Sequence, residues 1–157
     1  MIGMIRSSLL SALLFGLYSL LVPTVCAETL PGPIPAEVIR VIDGDTVQVR
    51  AKIWLNQTIE ISVRVAQIDT PEVYRPECSA ERKTAAQATG AARAFLGREV
   101  LLHNIHNGKY AGRVVADVHH RTRGSLSAHL LELGLAVAED EDDPWCSEAA
   151  RSASHLP

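Results

Sequence analysis

Cysteine is scarce: three residues in 157, too few for a disulfide-scaffold miniprotein. Aromatic residues make up only 4% of the chain. Basic charge is not in excess, since 15 Lys and Arg face 18 Asp and Glu for a formal net of −3. Nucleic-acid binding would therefore have to rest on local residues rather than on global charge. No internal repeat occurs. The longest apolar run, Leu9 to Val22, has 14 residues, short of the roughly 20 that span a bilayer. What is present points to an ordinary fold. Hydrophobic residues are 47% of the total, which rules out wholesale disorder. The length suits one domain and argues against a large multidomain enzyme.

The first 27 residues read as a cleaved secretory signal peptide. Arg6 precedes the apolar run, Pro23 breaks it, and Val25 and Ala27 stand at −3 and −1 of a cut after Ala27. A lipid-anchored reading would use Cys26, but Val25 is too bulky before a lipidated cysteine. The expected mature chain starts at Glu28, carries a net of −4, and lives in the periplasm or outside the cell with no stable membrane anchor. It retains Cys78 and Cys146. An even pair in an oxidising setting favours a disulfide, with two free buried thiols as the alternative. Charge is partitioned along this chain. Residues 28–138 are nearly neutral at +1, whereas the tail from 139 carries −5, mostly in the unbroken run Glu139 to Asp143.

Hydrophobic period and turn residues give the element order. Thr29 to Pro35 is a Pro-rich lead-in, with the domain proper expected over 37–138 and an acidic tail over 139–157. Strands are expected at Glu37–Ile42, Thr46–Leu55 and Thr58–Ile68, the last with Ile59, Ile61, Val63 and Val65 on one face. Pro71 ends that sheet. Ser79–Leu96 is expected as a helix, with Ser79 as N-cap, Glu81 in the first turn and Ala85, Ala88, Ala92 and Phe95 as its stripe. Gly97 fits the position after it. Two further strands, Val100–Ile105 and Arg113–His119, precede a short helix at Leu126–Leu133, and Trp145–Ser154 is at most another. The result is a β-rich α+β fold, a five-stranded OB-fold barrel with two or three helices.

Three stretches carry chemistry. I-D-G-D-T-V, Ile42 to Val47, sets two carboxylates about a glycine at a strand junction. It fails the EF-hand pattern, because Val47 stands where an oxygen ligand is needed. V-R-V-A-Q-I-D-T-P-E, Val63 to Glu72, puts an arginine on a strand and Asp69, Thr70 and Glu72 at its end. With Asp45, these could form an all-oxygen site for a hard cation; a surface ion pair between Arg64 and Glu72 is the plain alternative. G-K-Y-A-G-R-V-V-A-D-V, Gly108 to Val118, delivers Arg113 from a glycine loop, which suits a bidentate grip on phosphate. The histidines do not suggest zinc, because His103 and His106, like His119 and His120, fall on opposite strand faces. Trp54 and Trp145 are expected to pack, and Tyr74 and Arg75 stand where they could touch a substrate.

Taken together, the three stretches resemble the staphylococcal-type thermonuclease (micrococcal nuclease) family over about Glu37 to Ala138. The order and separation of the motifs carry the resemblance. It implies an OB-fold enzyme that hydrolyses single-stranded DNA and RNA with Ca²⁺, breaking the 5′-oxygen bond to leave 3′-phosphates. It implies Asp45 and Asp69 as acidic metal ligands, Thr70 as a backbone-carbonyl ligand, Asp43 as a supporting acid, Glu72 as general base, and Arg64 and Arg113 as phosphate-binding arginines. Lys109 and Tyr110 fall at substrate-binding positions. The cysteines, after D-T-P-E and in P-W-C, resemble those of exported proteobacterial members. The sequence departs from the family in three places. Ala111 is inserted in K-Y-A-G-R. Acids 139–143 replace aromatics that help hold a nucleotide, which weakens substrate grip. The third helix is truncated. A monomer is expected. The alternative is a non-catalytic OB-fold module that binds nucleic acid or protein.

Overall fold

The computed structural model describes residues 28–147. The expected signal peptide and most of the expected third helix lie outside them. The elements are β1 (Thr29–Leu30), β2 (Ile34–Val41), β3 (Thr46–Trp54), β4 (Gln57–Val65), β5 (Ile68–Asp69), α1 (Ser79–Leu96), β6 (Glu99–Asn107), β7 (Arg113–His120), β8 (Gly124–Ser125), α2 (Leu126–Glu132) and β9 (Val137–Ala138).

β2, β3 and β4 form an antiparallel meander. β7 then joins β4 in parallel, β6 pairs with β7, and β6 returns to β2. Closure removes the open edges of the sheet. The result is the expected five-stranded OB-type barrel. Alternation builds its interior: Val47 and Val49 of β3, Val63 and Val65 of β4, Val100 and Leu102 of β6, and Ala116 and Val118 of β7 are all buried. α1 and α2 cover this core with Ala92, Phe95, Leu96, Leu126 and Leu130. No helix among the described residues is long and apolar enough to cross a membrane.

Four local expectations are corrected. The lead-in is part of the sheet, since β1 pairs with His106 and Ile105 and Ile34–Glu37 pair with Leu102–Glu99. Proline lacks only the donor; the Pro31 carbonyl still accepts from Asn104 N at 3.1 Å. The third strand breaks after Val65. Gln67 takes a φ of 69° and Ala66 N donates to the Ala116 carbonyl at 3.0 Å, so the inward phase slips and Ile68 is buried. The helix N-cap is Cys78, not Ser79, because its extended backbone lets Sγ accept from Glu81 N. Trp54 does not pack. It is 71% exposed, with Ile59 also exposed, because the outer half of the β3–β4 hairpin runs beyond the barrel.

Candidate functional site

One cleft of about 530 Å³ lies between the 42–45 turn, the end of β5 with Pro71 and Glu72, and the loop into β7. Its walls include Asp43, Asp45, Arg64, Asp69, Thr70, Glu72, Tyr74, Tyr110 and Arg113. The three sequence stretches thus converge on one place, although they are far apart along the chain. Barrel closure does this: β3 pairs Thr46 with Arg64, which sets Asp45 of the preceding turn beside it, and the parallel β4–β7 pairing sets Arg113 opposite Ser62.

Asp45 is the buried centre of the site, 4% exposed. Its Oδ1 accepts from Thr46 Oγ1 at 3.0 Å and from Arg64 Nη1 at 2.9 Å. Its Oδ2 accepts from Thr70 N at 3.1 Å and Thr70 Oγ1 at 3.0 Å. The turn that carries it is tied to β4 by Val65 N donating to the Asp45 carbonyl at 2.7 Å. Arg64 also pairs with Asp69 through Nη2. One guanidinium therefore bridges two carboxylates, and the simple pairing of Arg64 with Glu72 is not formed. Burial works against the Arg64 charge, but Asp45 and Asp69 outweigh it and hold the group above its ordinary range. Asp43 accepts from Asp45 N at 3.2 Å. Burial, with the Asp45 carboxylate beside it, pushes Asp43 up to about 6.

On the other wall, Arg113 N donates to the Tyr110 carbonyl at 3.3 Å, and Gly108 N to the Arg113 carbonyl at 3.0 Å. A Cβ at Gly108 would stand 2.7 Å from that carbonyl oxygen, so the loop requires glycine there. The Arg113 guanidinium lies 5.1 Å from the Tyr110 ring centroid. Its Nε is buried and, among the described residues, has no hydrogen-bond partner. A buried donor left open is costly and suits an incoming anion. Lys109 does not line the cleft; its Nζ stands 5.8 Å over the Tyr110 ring. Tyr110 stays on the wall despite the Ala111 insertion, and Ala111 lines it too.

From the sequence, Glu81 is expected only in a helical first turn. The structure buries it beneath the Glu72 segment, where Oε1 accepts from Glu72 N at 3.0 Å and Oε2 from Glu77 N at 2.5 Å. Its spacing after Cys78 was a visible signal, but the partners upstream were not. Cys78 and Cys146 form a disulfide with Cα atoms 6.0 Å apart. Both sulfurs lie near Glu81, but they are bonded to each other and so are not metal ligands. The histidines instead pair across strands and helices, His103 with His119 and Phe95 with His120 and His129. The acidic run starts beside the site, where Glu139 N donates to the Gln67 carbonyl at 3.2 Å.

The family model described as staphylococcal nuclease homologue matches residues 62–155, more than half of the chain. The matched stretch contains Arg64, Asp69 to Glu72 and Arg113, while Asp43 and Asp45 lie ahead of it. No curated protein matches the chain.

Proposed function

The chain belongs to the staphylococcal nuclease homologue family, and from that premise we propose that it is an exported, Ca²⁺-dependent nuclease acting on single-stranded DNA and RNA. The single observation that carries this reading is the cleft, which gathers two arginines, an exposed glutamate and two bridged aspartates.

The donor set suits a hard cation. Asp45, Asp69 and the Thr70 carbonyl offer only oxygen, as Ca²⁺ prefers. The two carboxylates share the single positive charge of Arg64, so together they leave one negative charge that a cation could meet. When bound, the ion would neutralise charge that builds on the phosphate in the transition state.

The remaining steps fall to the chain's own residues. Glu72 is exposed at the cleft wall, and takes a proton from a water there as general base. The water oxygen bonds to phosphorus as the bond to the 5′-oxygen breaks; the departing 5′-oxygen takes a proton from solvent, leaving a 3′-phosphate and a 5′-hydroxyl. Arg113 offers its open Nε and its fork to the phosphate oxygens, and Arg64 faces them from β4; both stabilise the extra negative charge. Tyr110 and Lys109 stand beside Arg113 at the substrate's edge.

Export is supported by the apolar segment before Ala27 and by the disulfide, which suits an oxidising compartment. The test is cleavage of single-stranded DNA by residues 28–157, with Ca²⁺ or EDTA, beside Glu72→Gln. Calcium-dependent cleavage that collapses in the variant supports the reading. Binding without any turnover would make the protein a non-catalytic OB-fold module.

A further inference from the structure

We propose that Glu81 is the positioning residue of this site: its buried carboxylate clamps the segment that carries Glu72. The kinetic half of the inference rests on the nuclease reading; the structural half does not.

Glu81 is 2% exposed, and among the described residues no lysine or arginine pairs with it. A buried carboxylate without a cation is costly unless hydrogen bonds satisfy it. Here two backbone amides do so, Glu72 N on Oε1 and Glu77 N on Oε2. The N-terminal end of α1 favours the same negative charge. Helix capping alone does not account for the geometry. Glu81 stands three residues after the N-cap Cys78, where a glutamate ordinarily reaches back to the N-cap's own N–H. This one passes the N-cap and takes the amide before it, together with the amide of Glu72, nine residues upstream. The N-cap interaction is met separately, by Cys78 Sγ accepting from Glu81 N at 3.4 Å.

The two clamped amides bracket residues 73–76, of which Val73, Tyr74 and Arg75 are exposed. One carboxylate thus closes both ends of a loop that has little packing of its own. The disulfide roofs the clamp, with Cys146 Sγ 3.7 Å from Oε2. The Glu72 backbone is fixed by a buried anchor while its carboxylate is left free at the cleft. A base displaced by about 1 Å can lose on the order of 100-fold in rate.

The test compares wild type, Glu81→Gln and Glu81→Ala by amide hydrogen exchange and by steady-state kinetics on single-stranded DNA. Glutamine keeps the size but has one acceptor oxygen, so it can hold only one of the two amides. In Glu81→Gln, exchange at Glu72 or Glu77 should accelerate by about 10-fold. Its kcat should fall about 10- to 100-fold, with KM and the Ca²⁺ dissociation constant within about twofold of wild type. Faster exchange with an unchanged kcat would overturn the positioning role. So would a parallel loss in kcat, KM and Ca²⁺ affinity, which marks general destabilisation. Unchanged exchange would overturn the clamp itself. If Glu81→Ala fails to fold, Glu81→Gln decides. If wild type cleaves nothing, the nuclease reading fails, and exchange alone supports or overturns the clamp.

Discussion

A methyl group on Gly44 would stand 2.8 Å from Cγ2 and Oγ1 of Thr70 and 2.9 Å from Cβ of Ala88. Neither neighbour is free to move: Thr70 is held by Asp45, and Ala88 is fully buried on α1. Gly44→Ala should therefore cost about 1–3 kcal/mol of stability, as overpacking does. It should also weaken Ca²⁺ binding through Thr70. Chemical denaturation and a calcium titration read the two effects; full stability with full affinity would show that the turn yields. At Arg113 the argument is one of shape. Its buried Nε and forked head suit two phosphate oxygens, and lysine offers only a point charge. Arg113→Lys should lower kcat/KM for single-stranded DNA about 100-fold, with little change in thermal stability. The residue types at this site were legible in the sequence, since each motif displays its acids and arginines. Their contacts were not. Gly44 meets Thr70, Arg64 bridges Asp45 and Asp69, and Glu81 reaches Glu72 only after the barrel has closed.

At the scale of elements, the segments with a strong period are legible in the sequence. α1 runs from Ser79 to Leu96 as its alanine stripe requires, and β7 begins at Arg113 where the glycine loop ends. The failures share a cause, which is tertiary pairing that leaves no local mark. Gln67 adopts a positive φ that its residue type does not announce. β5 exists because β9 pairs with it, Ile68 to Ala138 and Asp69 to Val137. The lead-in joins the sheet because β6 runs on past its pairing with β2, leaving Ile105 and His106 for β1. The cysteine pair is the reverse case: parity suggested it, and the fold brings the two together across a sequence separation of 68 residues. On the chain-entropy model, a closed loop of that size stabilises by roughly 4 kcal/mol. Replacing both cysteines by serine should lower the denaturant midpoint accordingly and steepen the slope, because the unbridged unfolded chain exposes more surface. A loss well under about 1 kcal/mol would mean that the unfolded chain gains little freedom without the bridge.

For the molecule as a whole, the decisive feature is where the negative charge is held. The barrel region is nearly neutral, so the net charge comes from the tail. The stretch 139–146 is not free to drift from the site. Glu139 is bonded to Gln67 at one end, and Cys146 is bonded to Cys78 at the other. The acids between them are thus kept near the cleft, though none of them lines it. They should repel a polyanion at long range and leave the chemistry alone. Changing Glu141 to Gln, and Asp140 and Asp142 to Asn, tests this, with Glu139 kept because its charge acts on Arg64. Asp143 is left in place because it accepts from Trp145 N at 2.8 Å, beside the disulfide. The variant should show a lower KM for single-stranded DNA and an unchanged kcat. The KM advantage should be largest near 10 mM salt, where the screening length is about 30 Å, and should vanish near 1 M, where it is about 3 Å. A KM difference that does not change with salt would mean that the acids act by contact or by shaping the tail, not through their field.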